Sequence, residues 1–303
     1  MLRAAIEAAA RGGGEMILLT YPTPDAPPAI LQGLVRVAED AVDIHSPDRD
    51  RRVSWSTIQS ARPAGLELVD LRAYYDGELL DRVYTTLLEG AFPGDEFESQ
   101  PDLAEQLTRA DGGVEVTALV AVEAVGRPVG VIVVEWYPES STLLLGYLAV
   151  HPDDRGRGLG SWLMHEAVLR WYGRSGCRLV LGELEDPRLV PGPNGQRRLD
   201  FHARAGAQVL AAPYFQPRLR PDAERVPMLL AVFSSAPEVR RKGRIAPAAV
   251  KAFLREYVLV TEGAEGLASA AVTWMLSHYD GDSIPLLPLS RYRDVPSGKA
   301  PPE

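Results

Sequence analysis

One cysteine, Cys177, is all that 303 residues contain. An intramolecular disulfide is therefore excluded, and a reducing compartment is the natural setting. Long apolar runs are missing too. None approaches the roughly 18 residues that a membrane-spanning helix requires, so no membrane partner is expected. The start of the chain lacks the apolar stretch of a secretory signal, because the Ala-rich residues 4–10 run into Arg11 and three glycines. A cytoplasmic location follows as the expectation. Positive charge is in short supply: 32 Lys and Arg face 41 Asp and Glu, for a net charge of −9. That balance argues against a general binder of nucleic acid or anionic membranes. His151, His165 and His278 lack ligand spacing with Cys, Asp or Glu, so no metal is expected.

What is present suits a globular protein with a packed core, since 46% of residues are apolar. The organisation reads as three parts: an irregular N-terminal extension over 1–64, a domain over 65–235, and a helical extension over 236–303. In the first part, Pro22, Pro24, Pro27 and Pro28 break any early element, and only a short helix around 30–42 is plausible. Gly12-Gly13-Gly14-Glu15 would be encoded by purine-rich codons of the kind that precede bacterial starts, so translation is expected to begin at Met16. From Leu66 the pattern tightens. Leu66–Leu71 reads as a strand, and Asp76 caps a helix whose apolar face is Leu80, Val83, Tyr84, Leu87 and Leu88. A second helix follows near 102–109. Strands 116–125 and 129–136 are joined by the turn Gly126-Arg127-Pro128. Leu143–Val150 is apolar at consecutive positions, as in a strand buried on both faces. A helix from Leu159, a strand over 178–184, a helix near 198–205 and strands at 208–210 and 227–233 complete the domain. Beyond Ser235, Val250, Phe253, Leu254 and Tyr257 mark one amphipathic helix, and Leu267, Ala271 and Trp274 a second. Such faces must dock, either on their own domain or on another subunit, which leaves a homodimer open. Residues after Tyr292 read as a frayed end.

The most informative stretch is 143–160. There an apolar strand empties through Arg155-Gly156-Arg157-Gly158-Leu159-Gly160 into a helix start. Unpaired N–H groups and the helix dipole make such a turn an anion site, and the two arginines add charge. The spacing is neither the dinucleotide fingerprint nor a Walker loop. It matches R-x-x-G-x-G at Arg155, Gly158 and Gly160, and with the Leu-Ala-Val-His-Pro lead-in it resembles the pyrophosphate loop of the GNAT superfamily of acyl-CoA-dependent N-acyltransferases.

That resemblance implies an α/β (α+β) fold with a mixed central sheet splayed between two parallel strands and flanked by helices. It implies acetyl-CoA as acyl donor, and acyl transfer to a primary amine of unknown identity by direct attack in a ternary complex. By the same resemblance the backbone of Leu148, Ala149 and Val150 holds the pantetheine arm, and Arg155, Gly156, Arg157, Gly158, Leu159 and Gly160 hold the pyrophosphate. Phe201-His202-Ala203-Arg204-Ala205-Gly206 resembles the family's Phe-Tyr-x-x-x-Gly segment, with His202 where tyrosine usually protonates the departing thiolate. His202 either makes that transfer as an imidazolium or packs beside the cofactor. Asn194 lies one residue off the family's register.

An amine must lose a proton before it attacks. Glu183 and Glu185, two apart at a strand end, share a face and either hold and deprotonate the amine or stand as solvated carboxylates. Glu135, after the apolar run 131–134, is a third candidate that needs a partner. Tyr214, in a Pro-rich turn, lines the pocket or simply packs. No Gly-x-Ser-x-Gly elbow occurs and Cys177 has no paired motif, so no covalent acyl-enzyme is expected. The rival to an enzyme is an acyl-CoA-binding module without turnover.

Overall fold

The computed structural model describes residues 63–300, apart from 93–96, 111, 173–175 and 191–192. The readings for 1–62, including the short helix and the start at Met16, lie outside the described residues.

A single mixed sheet organises the chain. Strand β1 (Leu66–Asp70) is followed by α1 (Gly77–Val83), which runs on as a π-helical turn over Tyr84–Leu88. Asp76 caps α1 as expected, accepting the Leu79 N–H at 3.0 Å. Next come α2 (Gln100–Thr108), β2 (Glu115–Glu123), β3 (Pro128–Tyr137) and β4 (Thr142–Val150). The glycine-rich turn leads into α3 (Leu159–Tyr172), then β5 (Leu179–Glu185) and α4 (Pro193–Arg204). Strands β6 (Gln208–Leu210), β7 (Tyr214–Gln216) and β8 (Val226–Ser235) close the region read as one domain.

The segment after Ser235 is more than helical. It forms β9 (Arg240–Arg241), β10 (Arg244–Ile245), α5 (Pro247–Ala268), α6 (Ala270–Ser277) and β11 (Ile284–Pro288). The sheet order is β1-β2-β3-β4-β5-β8-β6-β11-β10-β9, with β7 also on β8. Strand β11 adds to β6, so the extension continues the sheet. The short strands β7 and β9–β11 were not legible, because two to five residues give too little alternation to read. The frayed end is corrected as well. Val295 is buried and its carbonyl accepts from Arg188 Nη1 at 2.7 Å, while Gly298 packs against the backbone of Tyr214.

Two layers cover the sheet. Helix α3 lies on one face, where Leu159, Trp162, Leu163 and Ala167 meet Ile132, Val134, Leu143 and Leu145. Helices α1 and α2 cover the other face, packing on Val131, Val133, Tyr147 and Ala149. Alternation along β3 therefore sends Glu135 and Tyr137 to the α1/α2 side. There α5 continues the cover: Phe253 meets the Tyr137 ring edge-on at 5.1 Å. Full burial of such a ring contributes about 1.5–3 kcal/mol. Glu256 of α5 also accepts the N–H groups of Glu139 and Ser140, at 3.1 and 2.8 Å. The apolar faces named for the two helices after Ser235 are thus docked on their own chain.

Among the described strands, only β4 and β5 run parallel. They pair from Thr142/Leu179 to Leu145/Gly182 and then part. Gly146 is the cause on β4. Val133 faces Tyr147 while Val134 faces Leu145, so Gly146 is the extra residue of a bulge. The expected splay begins at that glycine.

Candidate active site

The gap between the strands has a polar wall. His151 N–H donates to Val129 O at 2.9 Å, which makes 151/129 a hydrogen-bonded pair. Antiparallel pairs alternate, so residues 149 and 147 bond to β3. Leu148 and Val150 consequently turn their N–H and C=O groups away from β3, into the gap. Ala149 differs, since its backbone belongs to the β3 ladder.

Beyond β4 the turn is built as an anion cradle. Gly156 and Gly158 both have φ of +79°, and a Cβ on either would meet nothing within 4 Å. They are glycines for their backbone conformation. Gly160 is one for space, because a Cβ there would stand 3.2 Å from Phe201 Cζ. Among the described residues, the N–H groups of Gly156 through Ser161 have no acceptor in the protein, and the first inward bond is Trp162 N–H to Gly158 O at 3.0 Å. The two arginines differ. Arg157 is ion-paired to the buried Asp154, which also takes Arg127 at 3.0 Å, so its charge is largely offset. Arg155 Nε donates to Val150 O at 3.2 Å, a neutral partner, and keeps its charge for a ligand.

On the opposite face, three carboxyl groups gather below the splay. Glu135 is buried and accepts from Tyr137 Oη at 2.6 Å. Its other oxygen lies 3.1 Å from where a Gly146 Cβ would stand. Burial first, then the neighbouring Glu98 and Glu183, push its carboxyl up to about 8. Glu183 is part-buried and receives Tyr214 Oη, Gln216 Nε2 at 3.0 Å and Tyr257 Oη at 3.3 Å. Burial pushes it up to about 7, against the lowering effect of those three donors. Glu98, just before α2, accepts from Tyr147 Oη at 2.6 Å and Gln106 Nε2 at 3.2 Å. Burial beside these carboxyls raises all four tyrosine hydroxyls, so they remain donors.

Glu183 and Glu185 have separate partners. Glu185 is ion-paired to Arg198 of α4, with its side chain 12% exposed. His202 lies in a buried setting. Burial, and then the charge of Arg198, push its imidazole down to about 4, so it is neutral at pH 7 and no imidazolium is available. Its ring packs edge-on against Phe201 and Phe233, and Nδ1 is buried without a partner. Cys177 is buried, its thiol pushed up to about 11, and it donates to Leu179 O. Sequence reasoning missed Glu98, Tyr137, Tyr147, Gln216 and the hydrogen-bonding role of Tyr257. Glu98 carries no local signal, being a lone carboxylate in a loop. No described group of three His, Cys, Asp or Glu side chains is placed to hold a metal ion. No described helix is long and apolar enough to cross a membrane.

A cleft of about 210 Å³ opens beside Glu98, lined also by Asp102, Glu105, Arg109 and Arg220. A larger one, about 450 Å³, lies by the β2–β3 turn and is lined by Arg82, Arg127 and His151.

Comparison with known proteins agrees with this geometry. Residues 115–206 match the family described as acetyltransferase (GNAT) domain, a span from β2 to just beyond α4. No curated protein matches the chain. Among solved structures, one from Bacteroides thetaiotaomicron assigned to the GNAT family is 19% identical, with 56% of this chain and 87% of that one covered and a TM-score of 0.43. The phosphinothricin acetyltransferase of Sinorhizobium meliloti, in complex with AcCoA, is 15% identical, covering 55% and 87%, at 0.40. The ribosomal-protein-S18-alanine N-acetyltransferase of Escherichia coli is 16% identical, covering 56% and 96%, at 0.39.

Proposed function

Taking residues 115–206 as a GNAT acetyltransferase domain, we propose that this protein moves an acetyl group from acetyl-CoA to a primary amine by direct attack. The observation that carries the proposal is the opening of β4 from β5 after Leu145/Gly182, with an unpaired N–H cradle at the end of β4 and carboxyl groups beneath the opening. The cradle from Gly156 to Ser161 and the charge of Arg155 hold the pyrophosphate. The edge groups of Leu148 and the N–H of Val150, whose carbonyl is taken by Arg155, pair with the amides of the pantetheine arm, which is how exposed ladder groups find partners. His202, packed on Phe201 and Phe233, shapes the wall beside the cradle.

The amine arrives as an ammonium and must shed a proton. Glu183 and Glu135 are suited to take it, because a base works best when its affinity for protons lies near the working pH. The nitrogen then bonds to the acyl carbon as the C–S bond breaks. The thiol leaves protonated, an amide remains, and one proton is released overall. Holding the partners together is the larger part of the work. Glu185, tied to Arg198, orients α4 against β5. The reaction needs no metal in this scheme, and a cytoplasmic location suits acetyl-CoA supply.

The test is release of CoA thiol by the full chain, with acetyl-CoA and a panel of amines, alongside calorimetric titration of acetyl-CoA. Binding with turnover is expected. Binding without thiol release for any amine would leave an acyl-CoA-binding module instead.

A further inference from the structure

The three carboxyl groups share one peculiarity: none has a cation. Elsewhere among the described residues three such acids are matched to arginine, while Glu256 is held by two backbone N–H groups. Asp186 has Arg188, Glu262 has Arg225, and Asp154 has Arg127 and Arg157. Glu98, Glu135 and Glu183 have only tyrosine hydroxyls and glutamine amides. Withholding a counter-charge from buried carboxylates is costly, and a neutral donor does not offset it. A second, independent observation lies beside Glu183. Gln216 is 3% exposed, its Nε2 is spent on Glu183, and its Oε1 is buried without a partner. The amide is rigid and planar, so that unpaired acceptor sits next to the carboxyl. The one group here shown without a partner, Gln216 Oε1, is an acceptor, so a ligand that satisfies it must donate.

One ammonium does not suffice. In the acyl transfer argued above, the reacting nitrogen becomes a neutral amine before it attacks, and one carboxyl keeps its proton. The remaining carboxyls and Gln216 Oε1 are then again without a donor cation. An acceptor with a second, non-reacting ammonium group satisfies them throughout. It would enter past Glu98, where Asp102 and Glu105 line the cleft.

We propose that the acceptor is a slender diamine or polyamine, with one nitrogen acylated while another stays charged among Glu98, Glu183 and Gln216. This rests on the acyltransferase reading. Its selectivity comes from an ammonium's three donors and its charge, matched to acceptors that no described residue pairs with a cation.

The experiment compares n-butylamine with putrescine, and both with spermidine, as acceptors for the full chain saturated with acetyl-CoA. Hydrogen bonds to charged groups are strong enough that kcat/KM should favour putrescine or spermidine by about tenfold or more. Glu98→Gln should lower kcat/KM for putrescine and spermidine by more than it lowers that for n-butylamine, and so shrink the preference, with melting temperature as a check on folding. Equal rates for n-butylamine and the diamines overturn the proposal while the acyltransferase reading stands. If no amine releases thiol, calorimetry of spermidine against n-butylamine decides alone. Tighter spermidine binding supports the proposal although the reading of activity fails, and no preference overturns it.

Discussion

Tyr257 of α5 and Glu183 of β5, 74 residues apart, meet in a hydrogen bond of 3.3 Å. The helix that follows Ser235 thus reaches the carboxyl group at the splayed strand. That bond favours the charged carboxylate, so Tyr257→Phe should raise the proton affinity of Glu183 further. The pH at which kcat/KM rises should move upward, with the aromatic packing on Tyr137 and Phe253 kept. A pH profile with an unmoved midpoint would remove Glu183 as the group that titrates.

Stability should fall as pH rises. Glu183 and Glu135 go from an ordinary carboxyl near 4.5 to about 7 and about 8 in the folded protein. The folded state therefore binds more protons than the unfolded one in that interval, and stability declines with pH. His202 acts oppositely, since its folded value of about 4 lies below its ordinary 6.5. Its opposition fades near pH 6.5, so the decline should be steepest around pH 6.5 to 7 and ease towards pH 8 as Glu183 and then Glu135 lose their protons. Melting temperatures across pH 5 to 8 measure this, and Glu135→Gln should flatten the slope.

The cradle can be probed at a position with room for a side chain. Gly158→Ala meets no atom but must hold a φ of +79°, a cost of about 1 kcal/mol for a non-glycine residue. Gly158→Asp adds a negative charge where an anion is to sit. Acetyl-CoA affinity, by calorimetry, should drop modestly in the first variant and by about tenfold or more in the second.

His202→Phe removes a buried acceptor that has no partner while keeping ring contacts with Phe201 and Phe233. The variant should be at least as stable as the parent, because an unsatisfied buried group costs about 1–3 kcal/mol. Turnover should fall by less than about a hundredfold, the low end of what loss of a general acid brings. A larger fall at unchanged acetyl-CoA affinity would reinstate proton donation by His202.

Glu256→Ala leaves the N–H groups of Glu139 and Ser140 without their acceptor. Chemical denaturation should show a loss of about 1–3 kcal/mol. Acetyl-CoA affinity should stay unchanged, since α5 lies across the sheet from α3.

Much of the fold could be read from the chain because its signals are local. The Asp76 cap, the alternation in β2 and β3, and the strand-turn-helix of 143–160 each lie within a few residues. The site was legible in halves. The cradle and the open edge at Leu148 and Val150 follow from a contiguous motif, whereas the acid cluster is assembled from residues 98, 135, 183 and 216, brought together only by the sheet. The spacing of Glu183 and Glu185 placed them on one face, but Arg198 and Tyr214, which give them separate fates, lie elsewhere in sequence. Of the two readings open at His202, burial favours packing, and that burial depends on Phe201 and Phe233 together. For the extension, the apolar faces were clear but their use was not. Phe253, Val272 and Met275 share one core with Tyr137, Leu181 and Leu230, so a chain cut at Ser235 would expose that core and should not stay soluble.

The bulge at Gly146 also shows how little sequence separates this sheet from a sealed one. Leu145 faces α3 and Tyr147 faces α1, as adjacent residues of an uninterrupted strand would. Deleting Gly146 would therefore leave every side chain of β4 on its present side and merely straighten the strand. The two parallel strands could then zip to their ends, saturating the backbone groups now left open. Such a deletion variant should melt higher than its parent and bind no acetyl-CoA. On this view the crevice is an inserted residue, held open at the expense of a more complete ladder.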